Sequence, residues 1–190
     1  MEQLPLAGIR VADFSWVITG PYCTQWLAVM GAEVIRIESG EHTDINRRLP
    51  PFADGIMDVN RSGLWNGLNL SKKSCTLDLT RPEAVEIAKR IVTLSDVVVE
   101  NFGHGMMERF GLSYTVLGEL KPDLILISSS GFGRSGPLSA FTAYNEEFYT
   151  YAGLASMTGQ LGGPPAYIGG IWADHVTGTH LTIAVLAALY

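Results

Sequence analysis

The sequence has few charged residues and few cysteines, and each shortage argues against a class of protein. Only 17% of the 190 residues are Asp, Glu, Lys or Arg, and the net charge is −6. An acidic chain has no basic surplus to meet a phosphate backbone, which argues against a nucleic-acid binder. Two cysteines, Cys23 and Cys75, do not make the framework of a disulfide-rich secreted domain.

Long apolar runs and metal-binding spacings are also missing. The longest apolar run, Leu181–Tyr190, is broken by Thr182 and is too short to cross a bilayer. No basic start is followed by an apolar run, as a signal peptide requires. His175 and His180 are five residues apart, which is not the i, i+4 spacing of a helical zinc site. We therefore expect a cytoplasmic protein with no membrane span and no metal site.

The residues that are present predict a packed domain that begins with a strand–helix–strand unit. With 47% apolar residues the chain is able to build a sizeable core. Strands are predicted at Ile9–Phe14 and Glu33–Glu38, with a helix at Tyr22–Met30 between them and Pro21 at its first position. The turn before this helix lacks the G-x-G-x-x-G pattern, which argues against a nicotinamide or flavin site.

The alternation of strands and helices continues along the chain. Further strands are predicted at Cys75–Leu79, Asp96–Glu100 and Leu124–Ser130. Thr80 and Glu83 have the spacing of a capping box, Ser113 is placed to cap a later helix, and a longer helix is predicted from Tyr144 to Met157. The pattern predicts a Rossmann-like α/β fold, with a doubly wound, mainly parallel sheet and helices on both faces.

Cations, an amide and an aromatic ring lie near the predicted strand ends. In a doubly wound sheet these ends converge on one rim, where ligands bind. A helix start with local cations is able to bind a phosphate-bearing ligand, and a flat aromatic ring offers a surface on which a nucleobase stacks. The residues concerned are Lys72, Lys73, Asn101, Phe102 and Arg109. Each also has a structural interpretation: the lysines as a polar turn, Arg109 as a last-turn helix cation and Phe102 as a core residue.

Asp174 stands where an apolar helical pattern begins, and it has two interpretations. It is either an acid favoured by the positive end of a helix, or a carboxylate held at the edge of a dry core as a nucleophile. Spacing alone favours the first interpretation, because acids are common at helix starts.

Five segments, in this order, resemble the N-terminal part of the family III CoA-transferases, the CaiB/BaiF family. That family includes formyl-CoA transferases, carnitine-related CoA-transferases and α-methylacyl-CoA racemase. The resemblance covers essentially all 190 residues. The segments are ADFSWVITGPYCTQWLAVMGAEVIRIE, LNLSKKSCTLDL, DVVVENFGHGMMERFGL, ILISSSGFGRSGP and ADHVTGTHLTIAVLAAL.

The resemblance implies an activity and a set of site residues. By this resemblance Asp174 falls on the catalytic aspartate of the transferases. The reaction implied moves CoA from an acyl-CoA to a small carboxylic acid through an aspartyl-acyl anhydride. CoA enters as a co-substrate, and no metal is implied. The positions that match residues around CoA are Val17, Ala32, Lys72, Lys73, Asn101, Phe102 and Arg109.

Two departures from the family pattern bear on the reaction. Ser39 stands where formyl-CoA transferase has a basic residue, so one phosphate contact is in question. Tyr144–Asn145 stands where the racemases have a His-Asp pair. A carbon-acid racemase needs a base on each face of the reacting carbon, so transfer is favoured and racemisation is kept as an alternative.

The resemblance also implies more protein than these residues contain. The family continues into a smaller C-terminal domain and a return segment, and its members form interlocked homodimers. We therefore expect residues 1–190 to be the N-terminal part of the large, CoA-binding domain, which is then incomplete. The apolar end at Tyr190 keeps a further hypothesis open, a non-catalytic CoA-binding or oligomerisation fragment.

Overall fold

A computed structural model describes residues 4–190 of the chain. Its strands and α-helices, in chain order, are β1 (Arg10–Asp13), α1 (Thr19–Val29), β2 (Glu33–Glu38), α2 (Gly63–Gly67), β3 (Lys73–Thr76), α3 (Pro82–Thr93), β4 (Val97–Glu100), α4 (Met106–Arg109), α5 (Tyr114–Leu120), β5 (Ile125–Ser128), α6 (Asn145–Tyr151) and α7 (Trp172–Leu189). Of the helices in this range, none combines the length and hydropathy needed to cross a bilayer.

The five strands form one parallel sheet in the order β3–β2–β1–β4–β5. The central strand β1 pairs with both β2 and β4, so that Ala12 lies opposite Ile35 on one side and Val98 on the other. Strand β4 is buried throughout, which explains why its residues are apolar in succession. The strand order is that of a Rossmann-like sheet and confirms the predicted fold class.

Helices cover both faces of the sheet, as predicted. On one face α1 and α7 pack over β1, β2 and β4, with Leu27 and Val185 fully buried. On the other face α3 and α5 pack over the same strands, with Val92 and Leu117 fully buried. The sheet is therefore the middle of three layers, and apolar burial on both sides stabilises it.

A glycine lets α1 and α7 approach each other closely. A Cβ atom at Gly178 of α7 would lie 2.7 Å from the carbonyl oxygen of Thr19 and 2.9 Å from the ring of Tyr22. Any larger residue would push the helices apart. Asp174, one turn earlier on α7, is consequently held against the first turn of α1.

Some predicted boundaries were wrong at helix ends. Helix α1 begins at Thr19 rather than beside Pro21, so Pro21 is its third residue and not its first. A proline is tolerated throughout the first turn, because the N–H groups there have no helical partner. The predicted capping box does not form, since Thr80 donates its hydroxyl to Asp78 at 2.7 Å and Arg81 is the residue that precedes α3. Ser113 caps α5 as predicted, accepting from the amide of Val116 at 3.4 Å.

Two other predicted elements are shorter than expected. Helix α6 ends at Tyr151, because Gly153 has a φ of 76°, and a separate 3₁₀ turn follows at Leu154–Met157. Strand β3 was predicted at Cys75–Leu79 but begins earlier, at Lys73. It ends at Thr76, opposite the last residue of β2, because β2 is the only neighbour that β3 has in the described sheet.

Candidate active site

Asp174 is the third residue of α7, and the start of α6 fixes its position. The side-chain oxygen of Asn145 accepts a hydrogen bond from the amide of Ala173 at 2.9 Å, and its nitrogen donates to the carbonyl of Gly170 at 3.2 Å. Asn145 is itself buried. The amino end of α7 is therefore tied to α6 by a side chain that satisfies an otherwise unpaired helical N–H group.

The carboxylate of Asp174 is half-buried and accepts a hydrogen bond from Thr19. The distance from Thr19 Oγ1 to Asp174 Oδ1 is 2.6 Å, typical of a hydroxyl on a charged acceptor. Burial raises the pKa of Asp174 above its usual value. The bond from Thr19 and the neighbouring His175 act against this rise, whereas Glu146 adds to it.

Asp174 lies on the wall of a cleft of about 270 Å³, which we call the Asp174 cleft. The opposite wall comes from the segments that follow β1, β4 and β5. In the described chain no lysine or arginine lines it, and His104 is its one titratable base. The hydroxyl of Ser130 also lines it, is buried, and has no hydrogen-bond partner among the described residues. This hydroxyl is available to a bound oxygen.

The cleft lies at the switch point of the sheet, where the connections after β1 and β4 diverge. Asn101 joins these connections: its side-chain oxygen accepts from the amide of Trp16 and its nitrogen donates to the carbonyl of Trp16, both at 2.7 Å. Both polar groups of this amide are thus used to fix the mouth of the cleft. The rings of Trp16 and Phe102 meet edge to face, with centroids 6.1 Å apart.

Val17 also borders the Asp174 cleft and has an unusual backbone. Its φ is 64°, which is strained for a β-branched residue. Its amide donates to Asp44 at 3.0 Å, and its carbonyl accepts from the side chain of Asn46. These bonds hold the strained conformation and direct the chain into the first turn of α1.

A second cavity of about 410 Å³, which we call the apolar cavity, adjoins the first. Trp16 and Phe102 line both, so this pair is their common wall. Phe14, Met106 and Phe110 complete much of the apolar lining. At the rim the hydroxyl of Ser39 accepts from the amides of Glu41 and His42.

Arg109 lies outside both cavities. It is exposed at the end of α4, and its guanidinium donates to the sulfur of Met106 at 2.6 Å. Met106 lines the apolar cavity, so Arg109 contacts one residue of the cavity wall.

Lys72 is a buried structural lysine, not a residue of the cleft. Its Nζ donates to Asp13 at 3.2 Å, to the carbonyl of Pro21 at 2.8 Å and to Asn69 at 3.0 Å. The side chain is 2% exposed, and burial lowers its pKa to about 8. Lys72 thus secures the first turn of α1 from within.

Ala32 and Lys73 are not brought to Asp174. Ala32 precedes β2, at the amino edge of the sheet, and is buried in the core with Leu27. Lys73 is the exposed first residue of β3 and pairs with Glu33, the first residue of β2. Both therefore lie at the edge opposite to the cleft.

Sequence reasoning missed a buried ion network beneath the rim. Arg36 is 1% exposed and donates to Asp44 at 2.5 Å, and Arg47 pairs with Glu38 at 2.7 Å. This network anchors the long segment after β2. Its signal was present in the strand EVIRIE, where a charged residue stands at an interior position of a buried strand.

Residues 4–190 contain no cluster of three or more His, Cys, Asp or Glu able to hold a metal.

Comparisons with known proteins identify the family of the chain. A model of the family described as CoA-transferase family III matches residues 6–190. The succinate–glutarate CoA-transferase of Agrobacterium fabrum is 38% identical over 187 residues, which cover 97% of this chain and 47% of that protein. A formyl-CoA:oxalate CoA-transferase of Rhodopseudomonas palustris is 37% identical, covering 97% of this chain and 42% of that protein.

A solved structure of the same family also matches this chain. The crystal structure of a CaiB/BaiF family protein from Brucella suis matches with a TM-score of 0.91 at 34% identity, covering 99% of this chain and 50% of that one. The chain spans about half the length of the relatives it matches. Since the family model covers nearly all of the chain, the protein belongs to CoA-transferase family III.

Proposed function

We propose that this protein transfers CoA from an acyl-CoA thioester to a small carboxylic acid, with Asp174 as the nucleophile. The observation that supports this most directly is the position of the Asp174 carboxylate, half-buried on the wall of a cleft at the switch point of the sheet. Its raised pKa makes the carboxylate more basic and therefore a better nucleophile.

The proposed reaction has three displacements. An oxygen of Asp174 attacks the thioester carbon, the C–S bond breaks, and CoA leaves as a thiolate, which gives an aspartyl-acyl anhydride. The acceptor carboxylate attacks Cγ of Asp174 and expels the first acid. The thiolate then attacks the acyl carbon of the second anhydride, forming the new acyl-CoA and freeing the carboxylate of Asp174. No proton is taken up or released, so no general base is required.

The two adjoining cavities suggest how acyl-CoA lies. We place the nucleotide end in the apolar cavity, with Phe102 as a flat surface and Arg109 beside its rim for a phosphate. The pantetheine arm passes the wall formed by Trp16 and Phe102 and brings the thioester to Asp174. Binding energy from the remote nucleotide then holds the reacting thiol in place.

The other sequence-predicted residues have indirect places in this proposal. Val17 and Asn101 shape the mouth of the cleft through their backbone and amide contacts. Lys72 contributes indirectly, because its bond to the carbonyl of Pro21 fixes the first turn of α1. Ala32 and Lys73, at the opposite edge, have no part in the proposed site. The interlocked homodimer implied by the family resemblance stays a prediction.

A trapping experiment tests the nucleophile. The chain is incubated with an acyl-CoA and hydroxylamine, and its peptides are mapped by mass spectrometry. A hydroxamate on Asp174 in the wild type, and none in Asp174→Ala, is the expected result. Asp174→Asn serves as a matched control, because it keeps the shape of the side chain. A sample that binds CoA by calorimetry but gives no adduct would overturn catalysis by this chain and favour the CoA-binding fragment.

Racemisation has less support. Asn145, at the position of the racemases' acid, is an amide whose oxygen and nitrogen are both engaged with the start of α7, and it carries no titratable proton. The chain should therefore not exchange the α-hydrogen of a 2-methylacyl-CoA for deuterium in D₂O. Rapid exchange would contradict this and favour an isomerase.

A further inference from the structure

The hydroxyl of Thr19 is the one hydrogen-bond donor from another element that reaches the carboxylate of Asp174 in the described chain. The two residues are 155 positions apart, so only the fold brings them together. Thr19 is the first residue of α1 and is 8% exposed. Its hydroxyl contacts Oδ1 of the proposed nucleophile, which brings it into the site.

The position of Thr19 is fixed from several sides. Its carbonyl oxygen lies against Gly178 of α7, where no Cβ would fit. One turn further along α1, the hydroxyl of Thr24 donates to Asp13 at 2.6 Å. Lys72 holds the carbonyl of Pro21 at 2.8 Å from inside. A hydroxyl on so rigid a turn is a preorganised donor.

We propose that Thr19 selects the attacking oxygen of Asp174 and then stabilises the charge on the other. By engaging Oδ1, the hydroxyl leaves Oδ2 to attack the thioester carbon. Oδ2 becomes the bridging oxygen of the anhydride, and Oδ1 becomes the carbonyl oxygen of its aspartyl half. This proposal rests on the proposed function, since it assigns a role within that reaction.

The second displacement is where the bond from Thr19 matters most. When the acceptor carboxylate attacks Cγ, the π electrons of the Cγ=Oδ1 bond move onto Oδ1, which becomes an oxyanion. The bond from Cγ to the bridging oxygen then breaks, and the first acid leaves as a carboxylate. A donor 2.6 Å from Oδ1 before the reaction is placed to stabilise this charge.

Several titratable groups surround Asp174, and a test must separate their effects on its pKa from that of Thr19. His175 follows it on α7, Glu146 approaches from α6, and Tyr167 lies in the segment between these helices. His104 lines the same cleft from the segment after β4. Replacing Thr19 alone leaves all four unchanged.

The first test measures the hydrogen bond itself and needs no turnover. The carboxyl carbon of Asp174 is titrated by NMR in ¹³C-aspartate-labelled protein, and Asp174→Asn assigns the signal. Thr19→Val removes the hydroxyl and keeps the branched shape, so the pKa of Asp174 should rise by roughly one unit because the carboxylate loses its donor. Thr19→Ser should restore the wild-type value. An unchanged pKa in Thr19→Val would overturn the proposal.

A matched control is available in the same helix interface. Thr182 of α7 is also buried, and its hydroxyl donates to the carbonyl of Gly178 at 2.9 Å rather than to Asp174. Thr182→Val should leave the pKa of Asp174 unchanged. An equal rise in this variant would mean that loosening of the α1–α7 contact is the cause, and that result would contradict the assignment to Thr19.

The second test measures the oxyanion role. Hydroxylamine attacks the anhydride either at Cγ, which leaves a hydroxamate on Asp174, or at the acyl carbon, which releases a free acyl hydroxamate. Thr19→Val should lower the ratio of bound to free hydroxamate at least about tenfold, because attack at Cγ places a full oxyanion on Oδ1. Attack at the acyl carbon places that oxyanion on the acyl oxygen instead, and Oδ1 gains only part of the charge when the carboxylate of Asp174 leaves. The Asp174→Asn sample gives the direct reaction of hydroxylamine with the thioester, which is subtracted.

The outcomes distinguish the two proposals. No adduct in the wild type would overturn the transferase activity of this chain and the oxyanion role with it, while the NMR titration would still decide whether Thr19 controls Asp174. An adduct whose ratio is unchanged in Thr19→Val would support the transferase and overturn the oxyanion role.

Discussion

Two acids lie beside the first turn of α1 in opposite surroundings. Asp13 is fully buried below the turn, where Lys72 is 3.2 Å away and Arg36 is 3.9 Å away. Burial alone would raise the pKa of Asp13, but these cations and the hydroxyls of Ser15 and Thr24 together hold the pKa below the usual value. Asp174 lies above the turn with a threonine hydroxyl as its donor, and burial raises its pKa.

The difference separates a structural carboxylate from the proposed nucleophile. Asp13 is neutralised by nearby cations and accepts from Ser15 and Thr24 as well, so its oxygens have no capacity left for a ligand. Asp174 faces a cleft in which no lysine or arginine of the described chain competes for its charge. The surroundings of the two acids, not their residue type, therefore distinguish them.

The largest effect on stability is expected from the cation below the turn. Lys72→Met should lower the free energy of unfolding by about 3 kcal/mol, because it leaves Asp13 buried without its nearest cation. Urea denaturation measures the change. Lys73→Met is the matched control, and it should change stability by less than about 0.5 kcal/mol because that lysine is exposed. Similar losses in both variants would contradict the comparison.

A smaller effect is expected where α6 holds α7. Asn145→Ala removes the acceptor for the amide of Ala173 and should lower the free energy of unfolding by about 1 to 2 kcal/mol. Asn145→Asp restores an acceptor and should recover most of this loss. If stability is equally low in both variants, the contact with Ala173 does not explain the role of Asn145.

The two acids should affect stability with opposite dependence on pH. Folding raises the pKa of Asp174, so the folded state binds its proton more tightly than the unfolded chain does. The contribution of Asp174 to stability therefore falls as pH rises from about the unfolded pKa of 3.8 through the folded pKa. For Asp13, whose pKa is lowered, the stabilisation is present above 3.8 and is lost as pH falls through the folded pKa.

This difference is measurable by substituting one acid. Asp174→Asn should be more stable than the wild type at pH 7, by up to about 1 kcal/mol, with the gain disappearing near pH 3. Chemical denaturation across that range measures it. A variant that is less stable than the wild type at pH 7 would show that Asp174 is a structural acid like Asp13.

The smallest effect is expected at the rim of the apolar cavity. Arg109→Ala should weaken CoA binding by up to about fivefold, because an exposed cation contributes little, and salt should remove the difference. Calorimetry at low and high ionic strength measures it. Arg90→Ala, on an exposed arginine that lines neither cavity, is the control, and an equal loss there would contradict the placement of the nucleotide.

Sequence patterns predicted those features that depend on neighbouring residues. The strand Glu33–Glu38, the cap at Ser113 and the alternation of strands and helices are all local signals. The prediction that Asp174 stands at the start of a helix is confirmed, whereas its role stays a proposal.

Features that depend on the packing of distant segments were not predictable. The sequence does not indicate which of two adjacent lysines is buried. In the structure the side chain of Lys72 is buried, whereas that of Lys73, the first residue of β3, is exposed. The bond from Thr19 to Asp174 depends on how closely α1 and α7 pack, and nothing near either residue in the sequence indicates it.

Transfer of labelled oxygen tests the central claim most directly. The chain is incubated with an acyl-CoA and a carboxylic acid that carries ¹⁸O in its carboxylate. The acceptor oxygen bridges to Cγ and stays on Asp174 when the new thioester forms, so ¹⁸O should appear in the peptide that contains Asp174, and only when acyl-CoA is present. Turnover that leaves Asp174 unlabelled would contradict the anhydride mechanism, and label on Glu146 instead would identify a different nucleophile.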